Sequence, residues 1–122
     1  MLGLRTRIKK WAGKMSNARA LPAELKVPLK LPQLREMNLS RTVTYLYCDY
    51  YFEHFLPQLF NEHRAYFAKA GRGFGEDVFH AMWFLLFEHF RPANALEIGV
   101  YRGQTITLMK LLSRHFNFQC EI

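Results

Sequence analysis

The chain has 122 residues, half of them hydrophobic and 16% aromatic, which is enough for one domain with a core and excludes a disordered chain. The formal net charge is +7, but residues 1–41 hold ten Lys and Arg against two acids (+8), whereas the other 81 hold seven against eight (−1). Because the positive charge is concentrated near the N-terminus, we expect no nucleic-acid-binding face on the folded body. Cys48 and Cys120 have no C-x-x-C partner, which favours a reducing, cytoplasmic compartment.

Residues 1–19 form a basic amphipathic arm. Leu4, Ile8, Trp11 and Met15 recur at steps of four, three and four, with Lys and Arg between them. This pattern is typical of a helix that docks on an anionic membrane or of a targeting peptide. A solvated arm is the favoured alternative, because one short helix of this kind binds membrane only marginally.

Residues 20–38 carry Pro22, Pro28 and Pro32. Proline removes backbone donors and biases the preceding residue towards extended conformations. This segment is therefore predicted to be an extended connector whose leucines lie against the domain.

Residues 39–75 form an aromatic helical region. The first predicted helix begins near Ser40, a suitable N-cap, and ends before Pro57; the second begins at Pro57 and ends at Gly71. An aromatic stripe at this spacing predicts a core, and a binding face for a ring-bearing or sugar substrate is the alternative. A third helix is predicted from Glu76 to Phe90, apolar on almost all sides and therefore buried against a sheet.

The five histidines do not predict a metal site. Three of them follow a glutamate directly, at positions 54, 63 and 89, and no H-E-x-x-H spacing occurs. His54, His63 and His80 are the right chemical type for a general base, but the sequence assigns that role to none of them, so the catalytic residues stay unknown.

Residues 94–116 carry the most informative pattern. The apolar run Ala95–Val100 predicts a strand, Gly99 and Gly103 predict a turn, and the next dozen residues have helical spacing. Strand, glycine turn and helix are the opening of a nucleotide-binding βαβ unit. Residues 76–122 are therefore predicted to begin an α/β, doubly wound Rossmann-like domain, with a second strand starting in residues 116–122.

Three nucleotide-binding motifs compete for this turn. A P-loop is excluded because only three residues separate the glycines and Gln104 stands where lysine belongs. A dinucleotide fingerprint, and with it a nicotinamide-dependent oxidoreductase, is disfavoured because Tyr101 replaces the middle glycine. Glu121 lies 22 residues after Gly99, near the distance at which an acid meets a ribose.

The segment A-L-E-I-G-V-Y-R-G-Q-T resembles the first motif of class I S-adenosylmethionine-dependent methyltransferases, in the variant L-E-I-G-x-x-x-G-x-S/T. Glu97, Gly99, Gly103 and Thr105 match that variant. The resemblance implies a cofactor pocket lined by Glu97, Gly99, Tyr101 and Gly103, with Glu121 as a ribose ligand. It also implies a small-molecule or saccharide methyl acceptor.

The resemblance covers about residues 74–122, where the predicted second strand has only begun. We therefore expect the N-terminal portion of a longer methyltransferase, inactive as 122 residues alone. A non-catalytic α-helical interaction or peripheral membrane module is the alternative function, with contact to lipid through residues 1–19.

Overall fold

The computed structural model describes residues 21–71 and 76–122; residues 1–19, predicted as the basic arm, lie outside these ranges. The described residues form five α-helices and two short 3₁₀ turns, at Ala23–Leu25 and Lys69–Gly71. The helices are α1 (Leu31–Glu36), α2 (Arg41–His54), α3 (Gln58–Ala68), α4 (Asp77–Phe90) and α5 (Gln104–His115).

The helix predictions for residues 39–116 are confirmed. Ser40 caps α2, because its hydroxyl accepts a hydrogen bond from the backbone N–H of Val43 at 3.2 Å. Pro57 stands at the N-cap of α3. The following helices, α4 and α5, begin and end close to the residues that the hydrophobic spacing indicates.

Aromatic side chains from three helices and from the residue after α5 meet in the core. Phe60 of α3 is fully buried, and its ring centroid lies 5.4 Å from that of Phe84 on α4. Phe84 in turn lies 5.9 Å from Tyr51 of α2 and 4.9 Å from Phe116, which follows α5. The prediction that α4 packs against a sheet is wrong, because its packing partners are helices, chiefly α2 and α5.

The proline-containing connector is fastened to α2 by one tyrosine. Tyr47 is fully buried, and its hydroxyl accepts from the N–H of Leu29 at 2.8 Å and donates to the carbonyl of Val27 at 3.0 Å. Leucines 21, 25 and 34 are buried in the core, as expected. The segment is not extended throughout, since α1 and a 3₁₀ turn interrupt it.

A surface groove runs between the connector and helices α2 and α4. It has a volume of about 380 Å³ and an apolar lining that includes Leu34, Leu39, Cys48 and Leu85. Burial, with a smaller contribution from the charge of Asp49, raises the pKa of the Cys48 thiol to about 12. Cys48 is therefore a protonated, apolar part of the wall.

The predicted α/β fold is wrong for the part of the chain that the structure describes. Residues 95–100 have no regular secondary structure, and residues 116–122 contribute a single parallel bridge, between Asn94 and Glu121. The bridge consists of two backbone hydrogen bonds, from Ala95 to Glu121 at 2.7 Å and from Glu121 to Ala93 at 2.9 Å. A strand needs a continuous ladder of such bonds, and two of them do not make a sheet. Residues 76–122 are therefore two helices joined by a loop, not the start of a doubly wound domain.

Candidate functional site

The glycine turn, residues 97–103, joins the bridge to α5. Gly99 and Gly103 both have left-handed backbone conformations, with φ of 81° and 79°. Residues other than glycine rarely adopt this backbone conformation, which explains why both positions are glycine. No described atom lies within 4 Å of where a Cβ would be at either position, so the space beside the turn is open to a ligand.

Helix α5 begins at a glycine, which has no side chain with which to cap it. Gly103 is the N-cap residue and makes no side-chain cap hydrogen bond. The first N–H groups of a helix have no intrahelical acceptor, and the helix dipole makes that end partly positive. The start of α5 is thus suited to receive an anionic group.

A buried arginine holds the start of α5 against the rest of the molecule. The Nε of Arg64, on α3, lies 3.1 Å from Oδ1 of Asp77, and its Nη1 donates to Oε1 of Gln104 at 3.1 Å. Only 8% of Arg64 is exposed. One guanidinium therefore links α3 to the N-termini of α4 and α5.

Glu97 enters the turn with one unsatisfied oxygen. Its Oε2 is buried and has no hydrogen-bond partner among the described residues. Leaving a buried carboxylate oxygen without a donor is costly, so a cationic or donor group placed there would be stabilised. Of the other predicted pocket residues, Tyr101 is exposed and the guanidinium of Arg102 lies 5.4 Å from its ring centroid.

Glu121, the predicted ribose ligand, is tied to the bridge through its backbone only. Glu121 lines a separate groove with Asn94, Lys110 and Arg114. No residue of the glycine turn contributes to that groove. The structure therefore keeps Glu97, Gly99, Tyr101 and Gly103 together and places Glu121 beside another groove.

A chain of hydrogen bonds that sequence reasoning missed ends at the glycine turn. Nε2 of His80, on α4, lies 3.0 Å from Nδ1 of His63 on α3. Nε2 of His63 lies 2.7 Å from Oγ1 of Thr107 on α5, and that hydroxyl donates to the carbonyl of Gly103 at 2.7 Å. The two histidines are 17 residues apart on different helices, so no spacing rule could have paired them.

Burial disfavours the charged form of both histidines. Burial lowers the pKa of His63. Burial also lowers the pKa of His80, to about 4, and the nearby His63 and Arg64 add to the effect while Asp77 opposes it. Only 3% of His80 is exposed.

A small cavity of about 250 Å³ opens between the starts of α4 and α5. Its walls include Glu76, Phe79, His80, Trp83, Gln104 and Thr105. The hydroxyl of Tyr45 donates to Oε2 of Glu76 at its edge. The cavity therefore lies next to the glycine turn and has the His80 ring in its wall.

No protein-family model, curated protein or solved structure matches this chain. Within residues 21–71 and 76–122, no three or more His, Cys, Asp and Glu side chains are grouped to hold a metal ion. Across the same ranges, no helix has the length and apolar character needed to cross a membrane. The function is therefore inferred from the residues and their geometry.

Proposed function

We propose that the glycine turn binds S-adenosylmethionine and that the chain carries the cofactor-binding part of a methyltransferase. The observation that supports this best is the buried Oε2 of Glu97, which has no hydrogen-bond partner among the described residues. Glu97 precedes two left-handed glycines and a helix whose N-cap residue makes no side-chain cap hydrogen bond. The proposal does not depend on a doubly wound sheet.

The amino-acid end of S-adenosylmethionine carries charges of both signs. Its ammonium group or its sulfonium would satisfy the orphan oxygen of Glu97. Its carboxylate would accept from the first N–H groups of α5, where the helix dipole and the buried Arg64 both favour negative charge. The ligand would lie in the open space beside Gly99 and Gly103.

Methyl transfer from a sulfonium to a small molecule or saccharide needs no covalent enzyme intermediate. It depends mainly on holding the methyl carbon and the attacking atom in line and close together. The proposed role of the turn is to fix the methyl donor for that encounter.

Calorimetric titration of the 122-residue chain tests the proposal directly. S-Adenosylmethionine should bind, and Glu97→Gln should weaken the binding about tenfold or more, because a charged hydrogen bond is worth about 1.5–3 kcal/mol. Glu24→Gln, at a solvent-exposed glutamate in the first 3₁₀ turn, is the matched control and should bind as tightly as the wild type.

Two further ligands sharpen this titration. S-Adenosylhomocysteine lacks the sulfonium charge, so its loss of affinity relative to S-adenosylmethionine measures how far Glu97 recognises that charge. Binding of NAD in preference to both, or no binding of either sulfur ligand, would overturn the proposal.

A second candidate function rests on the apolar residues of the same loop. Leu96 is 84% exposed and Ile98 is 90% exposed, which is unusual for large aliphatic side chains. They favour a non-catalytic module that docks on a partner or a membrane. Co-sedimentation with anionic vesicles that is abolished by Leu96→Ser with Ile98→Ser, together with no heat from S-adenosylmethionine, would favour this function instead.

A further inference from the structure

The surface groove between the connector, α2 and α4 carries charge of one sign only. Three of its described lining residues are polar, namely Arg35, Asn38 and Thr44, and the others are apolar. Arg35 is the charged one, so the described lining holds a positive charge and no negative charge. By charge complementarity, the groove favours an anionic ligand over a cationic one.

The polar residues of the groove lie together at one corner of the molecule. All three fall within residues 35–44, where α1 ends and α2 begins. The backbone N–H of Asn38 donates to the carbonyl of Arg35 at 3.2 Å, so these two residues lie on one turn. A guanidinium and an amide both carry N–H donors, the groups that bind a carboxylate. This corner is therefore suited to a carboxylate head group.

The rest of the groove is apolar. Cys48 follows Thr44 by one turn of α2, and the spacing of Met82, Leu85 and Leu86 places them on one face of α4. Cys48 and Leu85 are each 2% exposed whereas Met82 is 39% exposed, so the groove has a closed floor and an open side. Its described lining includes no aromatic ring on which a flat ligand could stack. These walls favour a flexible aliphatic chain.

The volume of the groove sets the length of that chain. Its 380 Å³ lies near the lower end of the roughly 300–1,000 Å³ found for small-ligand sites. At roughly 30 Å³ per heavy atom, the share of one water in the liquid, this space holds about a dozen heavy atoms. Decanoate, with ten carbons and two oxygens, has that size.

We propose that the groove binds a free, single-chain fatty acid of about ten carbons, with its carboxylate at Arg35 and its chain along Cys48, Met82 and Leu85. The described lining includes no residue of the glycine turn. The fatty-acid site is therefore separate from the methyl-donor site, and it stands or falls independently of the proposed function.

A series of fatty acids, titrated calorimetrically into the 122-residue chain below their micelle concentrations, tests the size of the site. From hexanoate through octanoate to decanoate, the affinity should rise by up to about fourfold per methylene, because each methylene leaves water for the apolar walls. It should level off at dodecanoate, whose last carbons lie outside the groove. No binding, or a steady rise through dodecanoate, would overturn the site.

Three ten-carbon probes test the head group. Decanoate should bind more tightly than decanol and decylamine, which have the same chain with a neutral and a cationic head. Arg35→Gln should weaken decanoate binding about fivefold, the upper range for an exposed ion pair, and bring it to the level of decanol. Arg114→Gln, at an exposed arginine of α5 outside the groove, should bind decanoate as the wild type does. Equal binding of decanoate and decylamine, or no effect of Arg35→Gln, would overturn the proposal.

Methyl carbon-13 NMR of the methionines locates the ligand in the wild-type chain, whether or not the variants fold. The chain has five methionines, and Met82→Leu assigns the Met82 signal. Decanoate should move this signal saturably, with the same midpoint as the calorimetric titration, and anionic vesicles without free fatty acid should leave it unmoved. A Met82 signal that decanoate leaves in place, or that the vesicles move, would overturn the proposal.

The same signal detects two other occupants. If Ile8→Ser with Trp11→Ser moves the Met82 signal without any ligand, the apolar side chains of residues 1–19 occupy the groove. If dilution of the wild-type protein moves it, a second copy of the chain occupies the groove. Either result would overturn the fatty-acid site.

Discussion

The helical body around Phe60 and the loop of residues 94–103 differ in how far their apolar side chains are buried. Phe60 is fully buried, with the ring centroids of Phe84 and His115 5.4 and 5.3 Å from its own. Leu96 and Ile98, in contrast, are 84% and 90% exposed. In the body, the polar groups of Tyr47 and Arg64 are hydrogen-bonded. In the loop, the buried Oε2 of Glu97 has no hydrogen-bond partner among the described residues. The helical body is thus a packed scaffold, and the loop of residues 94–103 exposes apolar side chains beside it. A ligand or partner should therefore be sought at the loop and not in the aromatic stripe.

The largest effect should come from emptying the centre of the body. Phe60→Ala should lower the free energy of unfolding by about 3–5 kcal/mol, because it leaves a cavity where the ring was. Denaturant unfolding measures it. The neighbouring Leu59 is 47% exposed, and Leu59→Ala should cost far less. Equal losses at the two positions would contradict the assigned core.

Acid should weaken the body through His80. Its pKa is lowered to about 4 in the folded protein, against 6.5 for an ordinary histidine, so the unfolded chain binds more protons between these values. The contribution is fully present above pH 6.5, falls as the pH drops, and is lost below pH 4, for a total of about 3 kcal/mol. Urea unfolding at several pH values measures the slope, and His80→Gln should flatten it. An unchanged slope in that variant would show that another group is responsible.

Removing the guanidinium of Arg64, which links α3 to the starts of α4 and α5, should lower the free energy of unfolding by an intermediate amount. Arg64→Met removes the ion pair with Asp77 and the hydrogen bond to Gln104, and should cost about 2 kcal/mol because Asp77 loses its cation. Lys30→Met is the control: Lys30 is exposed and lies 3.8 Å from Glu88, so its loss should cost less than about 0.5 kcal/mol. If both variants unfold at the same denaturant concentration, Arg64 does not hold α5 in place.

Gly103→Ala should cost about 1–2 kcal/mol, because alanine is strained at a φ of 79° although there is room for its methyl group. Thermal unfolding measures this loss, with Gly99→Ala expected to fall in the same range. A gain in stability would mean that the turn takes another backbone conformation in solution.

The smallest effect is expected in the loop itself. Ile98→Ser should change the free energy of unfolding by no more than about 0.5 kcal/mol, because the side chain is 90% exposed. A loss comparable to that of Phe60→Ala would show that the isoleucine is covered in solution, for example by a second copy of the chain.

The helices could be predicted from the sequence and the predicted strands were wrong, for a physical reason. A helix satisfies its own backbone, so local signals such as Ser40, Pro57 and the apolar spacing of α4 and α5 were enough. A strand needs donors and acceptors from elsewhere in the chain. Residues 95–100 have the apolar composition of a strand, but within the described residues no ladder forms beyond the bridge between the adjacent Asn94 and Glu121.

The candidate site was predictable in part for the same reason. Glu97, Gly99, Tyr101 and Gly103 are contiguous, so their proximity follows from the chain itself. The pairing of His63 with His80 depends on how α3 and α4 are rotated against each other, which no local pattern encodes. The sequence showed the two histidines as suitable bases without showing that they touch.

The buried thiol of Cys48 can report how often helices α2 and α4 separate. With a pKa of about 12, fewer than about one thiol in 10⁴ is ionised at neutral pH, so alkylating reagents meet an unreactive group while α2 and α4 stay closed. Once the helices part, the sulfur regains ordinary acidity and is labelled quickly. The rate at which an alkylating reagent labels this cysteine therefore measures how often the wall of the groove opens at Cys48.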